Sequence, residues 1–196
     1  MRPVAAGPMS TVRRTRRLAG LASVYDGDVE AVVWERQLAA AVTRDAEAVV
    51  RQPRRTLTTW RRGASWRLTG RPSLDDDLAT LAEVLADLVE CEEVGVRLEA
   101  PSAPMCPRWH VDRVEVRLVS TYVGPGPEIA ATSDVARDRL RAGECLLPGA
   151  TPLRTGTGEV VLLKGEAWEG NAGRGVVHRS PHCSGTRLVV TMDPLA

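Results

Sequence analysis

Only three histidines occur in the 196 residues, His110, His178 and His182, and all lie in the second half of the chain. Lysine is scarcer still: Lys164 stands alone among 26 basic residues, and the arginine excess reads as coding bias in an Ala/Arg/Val-rich chain. No apolar run reaches the roughly eighteen residues that a transmembrane helix needs, so no helical membrane span is expected. Arg2, Arg13, Arg14, Arg16 and Arg17 precede only the short Leu18–Ala22 stretch, too small an apolar core for a secretory signal. Cys91, Cys106, Cys145 and Cys183 form no C-x-x-C pair and no disulfide-framework spacing. Reduced thiols in a cytoplasmic protein are therefore expected. With 26 basic against 25 acidic side chains, the net charge creates no field that would draw nucleic acid or a membrane surface, and neither is expected as a partner.

Hydrophobic content of 43% and charged content of 26% suit a folded domain of medium size with a sizeable core. Residues 1–24 read as a basic, flexible tail, and residues 25–196 as a single domain. Within it, 25–95 is expected to form a mixed helical layer and 96–196 a β-rich core. Val29–Trp34 and Thr56–Trp60 have the β-branched and aromatic texture of strands. Leu38–Val50 has helical periodicity and should stop at Pro53. Ser73 followed by Asp75, Asp76 and Asp77 reads as an N-cap with carboxylates in the first helical turn. The stripe Leu78, Leu81, Val84, Leu85 and Leu88 continues that helix. After Gly95 short β runs alternate with Gly/Pro turns: Val96–Glu99, Trp109–Asp112, Val114–Val123, Val160–Lys164, Val176–His178 and Arg187–Met192. Such a pattern predicts an α+β protein: a jelly-roll, cupin-like double-stranded β-helix with N-terminal helices packed on it.

His110 and Asp112 are two residues apart, so on a strand they face the same way. His178 ends a second β run 66 residues after Asp112. Two histidines and one carboxylate on a β scaffold make the facial triad of non-haem Fe(II) oxygenases, which leaves coordination positions open for a co-substrate and O₂. Arg187 lies nine residues beyond His178, and double-stranded β-helix oxygenases carry at about this offset a basic residue that pairs with the distal carboxylate of 2-oxoglutarate. A guanidinium binds carboxylate bidentately. Tyr122, in phase with His110 and Asp112 if the strand is unbroken, and Thr191, in phase with Arg187, are expected as further contacts to that carboxylate. Cys106, His110, His178 and Cys183 form a rival set for a tetrahedral zinc site, whereas His182 reads as a solvated turn residue and Cys145 as core. The glycine-rich stretch 165–175 precedes a strand and lacks Gly-Lys-Ser/Thr, so it is no phosphate loop. Its Trp168 and Asn171 are candidates for a substrate mouth. If several of Arg108, Arg113, Arg117, Arg174 and Arg179 converge, a carboxylate-bearing small-molecule substrate is expected.

The segments Val33–Arg36, Gly95–Glu99, Cys106–Arg113, Val116–Leu118, Thr121–Gly126, Leu163–Trp168, Gly173–Pro181 and Arg187–Asp193 resemble the DUF1826 family over most of the chain. One departure is Glu128-Ile129-Ala130, where the family usually shows Glu-Trp-Leu. The resemblance implies a metal link, since members accompany zinc-homeostasis genes. More distantly, Val160–Lys164, His178 and Arg187 resemble the C-terminal strands of prolyl-hydroxylase-like 2-oxoglutarate oxygenases. An Fe(II)- and 2-oxoglutarate-dependent oxygenase is thus the leading expectation. The alternatives are a non-catalytic metal-binding protein of zinc homeostasis, with zinc in place of iron, and a structural β-sandwich whose histidines only hydrogen-bond.

Overall fold

Runs of Val, Leu and Ile separated by Gly/Pro turns build two facing sheets in the computed structural model, which describes residues 12–51, 54–101, 105–183 and 185–195. The strands are β1 (Val12–Thr15), β2 (Ala31–Trp34), β3 (Arg54–Arg61), β4 (Glu93–Ala100), β5 (Val116–Val123), β6 (Glu128–Ile129), β7 (Leu153–Arg154), β8 (Val160–Lys164), β9 (His178–Arg179) and β10 (Leu188–Leu195). Helices α1 (Ala40–Val50) and α2 (Pro72–Val89) lie between β2 and β4 in sequence. The large sheet has the order β1-β2-β8-β5-β10-β4-β3 and the small one β7-β6-β9. His110 pairs singly with His178 and extends the small sheet beyond β9. From β4 onward the chain passes repeatedly between the two sheets, and the result is a jelly roll.

Each central strand serves two cores because successive side chains point to opposite faces. Val94, Val96, Leu98, Leu118, Tyr122, Leu162, Val190 and Met192 meet the helices, whose contribution is Val42, Ala46, Val49, Leu74, Leu78, Leu81 and Leu85. Ala31, Val33, Val119, Val161, Leu163 and Val189 face the small sheet's Ile129 and the adjoining Val176. With both faces covered, β8 is apolar throughout its Val-Val-Leu-Leu run rather than alternating.

The helix α2 starts differently from the sequence expectation. Arg71 is the N-cap, Pro72 opens the helix, and no side chain of α2 caps it. The carboxylate of Asp45 on α1 instead accepts the Ser73 and Leu74 backbone N–H groups at 3.0 and 3.3 Å. A cap supplied by another helix joins the two elements, and no local Ser-x-x-Glu pattern announces it. Asp75 is buried and organises the preceding loop, accepting from the N–H groups of Thr69 and Gly70. Pro53, read as the stop of α1, lies outside the described residues.

Residues 12–24 are built into the fold and do not form a tail, while residues 1–11 lie outside the described residues. β1 runs parallel to β2, and a 3-10 helix at Leu18–Tyr25 buries Leu21 and Val24 in the helical-side core. Arg14 pairs with Glu35 at 2.6 Å and also with Glu159. The expected boundary at 95/96 runs through β4, and β2 and β3 of the N-terminal half belong to the large sheet. None of the described helices is long and apolar enough to cross a membrane.

Candidate metal centre

His110 and His178 are held side by side by a reciprocal backbone pair: each N–H donates to the other's carbonyl, at 3.1 and 3.0 Å. Their rings lie 4.4 Å apart between centroids, inclined by 50°. Both Nδ1 atoms point back to their own chain, His110 to the Arg108 carbonyl at 2.9 Å and His178 to the Val176 carbonyl at 3.0 Å. A carbonyl only accepts, so Nδ1 carries the proton in both rings and each Nε2 presents a bare lone pair. Burial, and then the neighbouring His178, lower the pKa of His110. Neutral imidazole is the form that binds a metal.

Asp112 completes the group. Its Oδ1 lies 3.9 Å from His110 Nε2 and its Oδ2 3.3 Å from His178 Nε2. One ligand atom from each of the three residues falls within 4.8 Å of the others. Burial pushes the Asp112 carboxyl up, but His178, Arg117 and His110 outweigh it and hold the pKa down at about 2. Oδ2 is buried and has no hydrogen-bond partner among the described residues. With His178 neutral and its proton on Nδ1, no hydrogen lies between Oδ2 and Nε2. The lowering of the Asp112 pKa by His178 belongs to the protonated ring, the form that a metal displaces. A buried anionic oxygen opposite two bare nitrogens fits a divalent cation.

The extended segment 110–112 brings these groups together, but it does not continue into β5. The turn at 165–167 captures it: Glu166 N–H donates to the Asp112 carbonyl, Ala167 N–H to Val114 and Gly165 N–H to Glu115. Gly165 is required there, because a Cβ would lie 1.9 Å from the Val114 carbonyl oxygen and 2.9 Å from that of Asp112. The bend at 113–115 resets the alternation, with two consequences. Arg117, which an unbroken strand would turn away from Asp112, faces the site and donates to Asp112 at 2.9 Å and to Asp193 at 2.7 Å. Tyr122, expected beside the co-substrate, is buried in the helical-side core and donates to Asp77 Oδ2 at 2.6 Å. Arg36 closes on the same Asp77 carboxylate at 2.6 and 2.9 Å, so Tyr122 belongs to a structural network.

A half-open cavity of about 180 Å³ adjoins the cluster. It is lined by His110, Asp112, His178, Arg187 and Thr191, with Met105, Val119 and Val189 as apolar wall. Arg187 is 4% exposed, its Nε donates to the Pro125 carbonyl at 2.9 Å, and its buried Nη1 has no partner among the described residues. Burial lowers its pKa. A guanidinium in a cavity with no carboxylate partner among the described residues has donor capacity to spare for an anion. Thr191 accepts a hydrogen bond from Arg97 Nε at 3.2 Å, which leaves its own hydroxyl hydrogen available. Arg97 was missed at the sequence level, although Val-Arg-Leu-Glu along β4 alternates and so marks one polar face.

Other expectations end elsewhere. Cys106 lines the cavity, but neither it nor Cys183 joins the three-residue cluster among the described residues, so the four-ligand zinc set is not assembled. His182 is exposed and Cys145 is buried. Trp168 meets Tyr25 with ring centroids 5.2 Å apart and planes tilted by 55°, and Asn171 is buried and donates to the Gly165 carbonyl, so neither lines this cavity. Of the five arginines considered for the site, Arg117 and Arg179 line it.

Among solved structures, the chain is similar to a prolyl-4-hydroxylase from Pseudomonas putida, at 13% identity and TM-score 0.55, covering 91% of this chain and 98% of that one. It is similar to the rice dioxygenase for auxin oxidation at 13% identity and TM-score 0.54, covering 94% and 82%. A protein from Caulobacter crescentus assigned provisionally to the 2OG-Fe(II) oxygenase family matches at 14% identity and TM-score 0.52, covering 94% and 86%. At these identities the likeness is one of fold. No curated protein sequence matches the chain. Residues 15–193 match the family described as "Protein of unknown function (DUF1826)", and the chain belongs to that family.

Proposed function

We propose that this protein is a non-haem Fe(II)- and 2-oxoglutarate-dependent oxygenase of hydroxylase type acting on a small molecule. The observation that carries the reading is one cavity with two bare imidazole nitrogens on its wall, together with a buried carboxylate oxygen and a buried guanidinium Nη1 that have no hydrogen-bond partner among the described residues. In this reading His110, Asp112 and His178 hold the iron, and Arg187 takes the distal carboxylate of 2-oxoglutarate. Thr191, which accepts from Arg97, adds a hydroxyl to the same wall. Iron with 2-oxoglutarate and O₂ supplies the oxidation of the substrate. The chain's own part is to orient these groups, keep coordination positions free of a fourth protein ligand, and exclude water with Met105, Val119 and Val189. The jelly-roll likeness supports the assignment at the level of fold only. Ferrous iron and the four free thiols suit a reducing compartment, and the cytoplasm is the proposed location.

Anaerobic addition of Fe(II) and 2-oxoglutarate is expected to give a weak visible charge-transfer band that needs both additions. His178→Ala is expected to abolish it. A band that survives His178→Ala, or no band in the parent protein, removes this reading in favour of a non-catalytic zinc-binding role.

A further inference from the structure

Four arginines line the cavity, Arg97, Arg117, Arg179 and Arg187, and their counter-charges are unequal. Arg117 is neutralised by Asp112 and Asp193. Arg179 lies 2.7 Å from Glu128. Arg187, in the oxygenase reading, is matched by the co-substrate's distal carboxylate. Arg97 has no carboxylate partner among the described residues: its Nε is spent on Thr191, and its two terminal nitrogens meet no acceptor there. Glu99, on the same face of β4, is engaged by Arg55 at 3.0 Å.

Position separates Arg97 from Arg187. Arg187 immediately precedes β10, along which Val189, Thr191 and Asp193 follow, and the metal cluster is tied to the Asp193 end through Arg117. Thr191 follows Arg187 by four residues, with the register shift at Leu188/Val189 between them. Arg97 pairs with Thr191 across the sheet, so it flanks the metal end of the cavity from β4. A dicarboxylate that reaches from the metal to Arg187 leaves Arg97 unmatched. A cation on a part-buried wall beside apolar Met105, Val119 and Val189 selects an acid with an apolar body.

We infer that Arg97 is a specificity residue that binds the carboxylate of the substrate, a small monocarboxylic acid with an apolar chain, separately from the co-substrate. This rests on the oxygenase reading. The volume of about 180 Å³ admits only a short acid, or the head of a longer one, beside 2-oxoglutarate.

The test uses the full chain loaded with Mn(II), which does not turn over, and saturating 2-oxoglutarate, with butyrate and butyramide as probes. Relaxation of the probe's methyl protons by bound Mn(II) reports occupancy next to the metal. Butyrate is expected to bind at least about tenfold more tightly than butyramide, the size of one charge-assisted hydrogen bond. Arg97→Met should erase that difference while 2-oxoglutarate affinity stays within about twofold, and Arg97→Lys should restore part of it. Equal relaxation by the two probes, including none by either, overturns the inference, as does a preference that persists in Arg97→Met. Failure of the parent protein to bind Mn(II) and 2-oxoglutarate is a separate result, which removes the oxygenase reading itself.

Discussion

Replacing Arg187 by Met separates binding from stability. Met keeps an unbranched apolar stem in place of the aliphatic part of the side chain and removes the guanidinium and its charge. The loss to the folded protein is the hydrogen bond from Nε to the Pro125 carbonyl, worth about 1 kcal/mol net. The gain is relief of a buried guanidinium whose Nη1 has no partner among the described residues, a penalty of about 1–3 kcal/mol for the unsatisfied group. The sum predicts a ligand-free variant between equally stable and about 2 kcal/mol more stable. In a chain of this size each kcal/mol moves Tm by about 2–4 °C. Binding should move the other way, because truncating one side of a buried charge pair costs about 2–5 kcal/mol, at least about thirtyfold in Kd. Thermal unfolding without ligand, together with calorimetric titration of 2-oxoglutarate into the Mn(II) protein, reads both quantities. A variant that binds 2-oxoglutarate as the parent does, or that loses more than about 2 kcal/mol of stability, refutes the reasoning and makes Arg187 a structural residue.

Tyr122→Phe should cost about 1.5–3 kcal/mol, the worth of a hydrogen bond to a charged group, and lower Tm. Its 2-oxoglutarate affinity should remain that of the parent, and a large loss of affinity would restore Tyr122 to the site. Gly165→Ala drives a Cβ into the Val114 carbonyl and should destabilise by about 3 kcal/mol or more. Because the same turn holds the Asp112 carbonyl, weaker Mn(II) binding should accompany the lower Tm. Cys106→Ala and Cys183→Ala should leave metal stoichiometry unchanged by elemental analysis, whereas a drop in either would indicate a thiolate-bound metal.

Local pattern made much of the molecule legible. The run Val160–Lys164 names β8 in full, because a strand covered on both faces is apolar along its length. The leucine stripe of α2 is buried as its periodicity predicts, and His110, Asp112, His178 and Arg187 line one cavity. Where the reading failed, the deciding contacts are distant in sequence. Strand alternation carried from Asp112 to Tyr122 ignores the bend at 113–115, which exists because residues 165–167 bond to it. That bend places Arg117 and Val119 at the site and sends Tyr122 to Asp77. Arginines near the N-terminus looked solvated because Glu35 and Glu159, the partners of Arg14, are remote in the chain. The cap of α2 comes from Asp45 for the same reason. Arg97 went unnoticed because only the pairing of β4 with β10 puts it beside Thr191.

The most direct test of the central claim is a crystal structure of the protein loaded anaerobically with Mn(II) and 2-oxoglutarate. One metal ion bound by His110 Nε2, His178 Nε2 and an Asp112 carboxylate oxygen, with the distal carboxylate of 2-oxoglutarate on Arg187 Nη1, is the predicted result. A metal held by Cys106 or Cys183, or a cavity in which Arg187 meets no carboxylate, would contradict it.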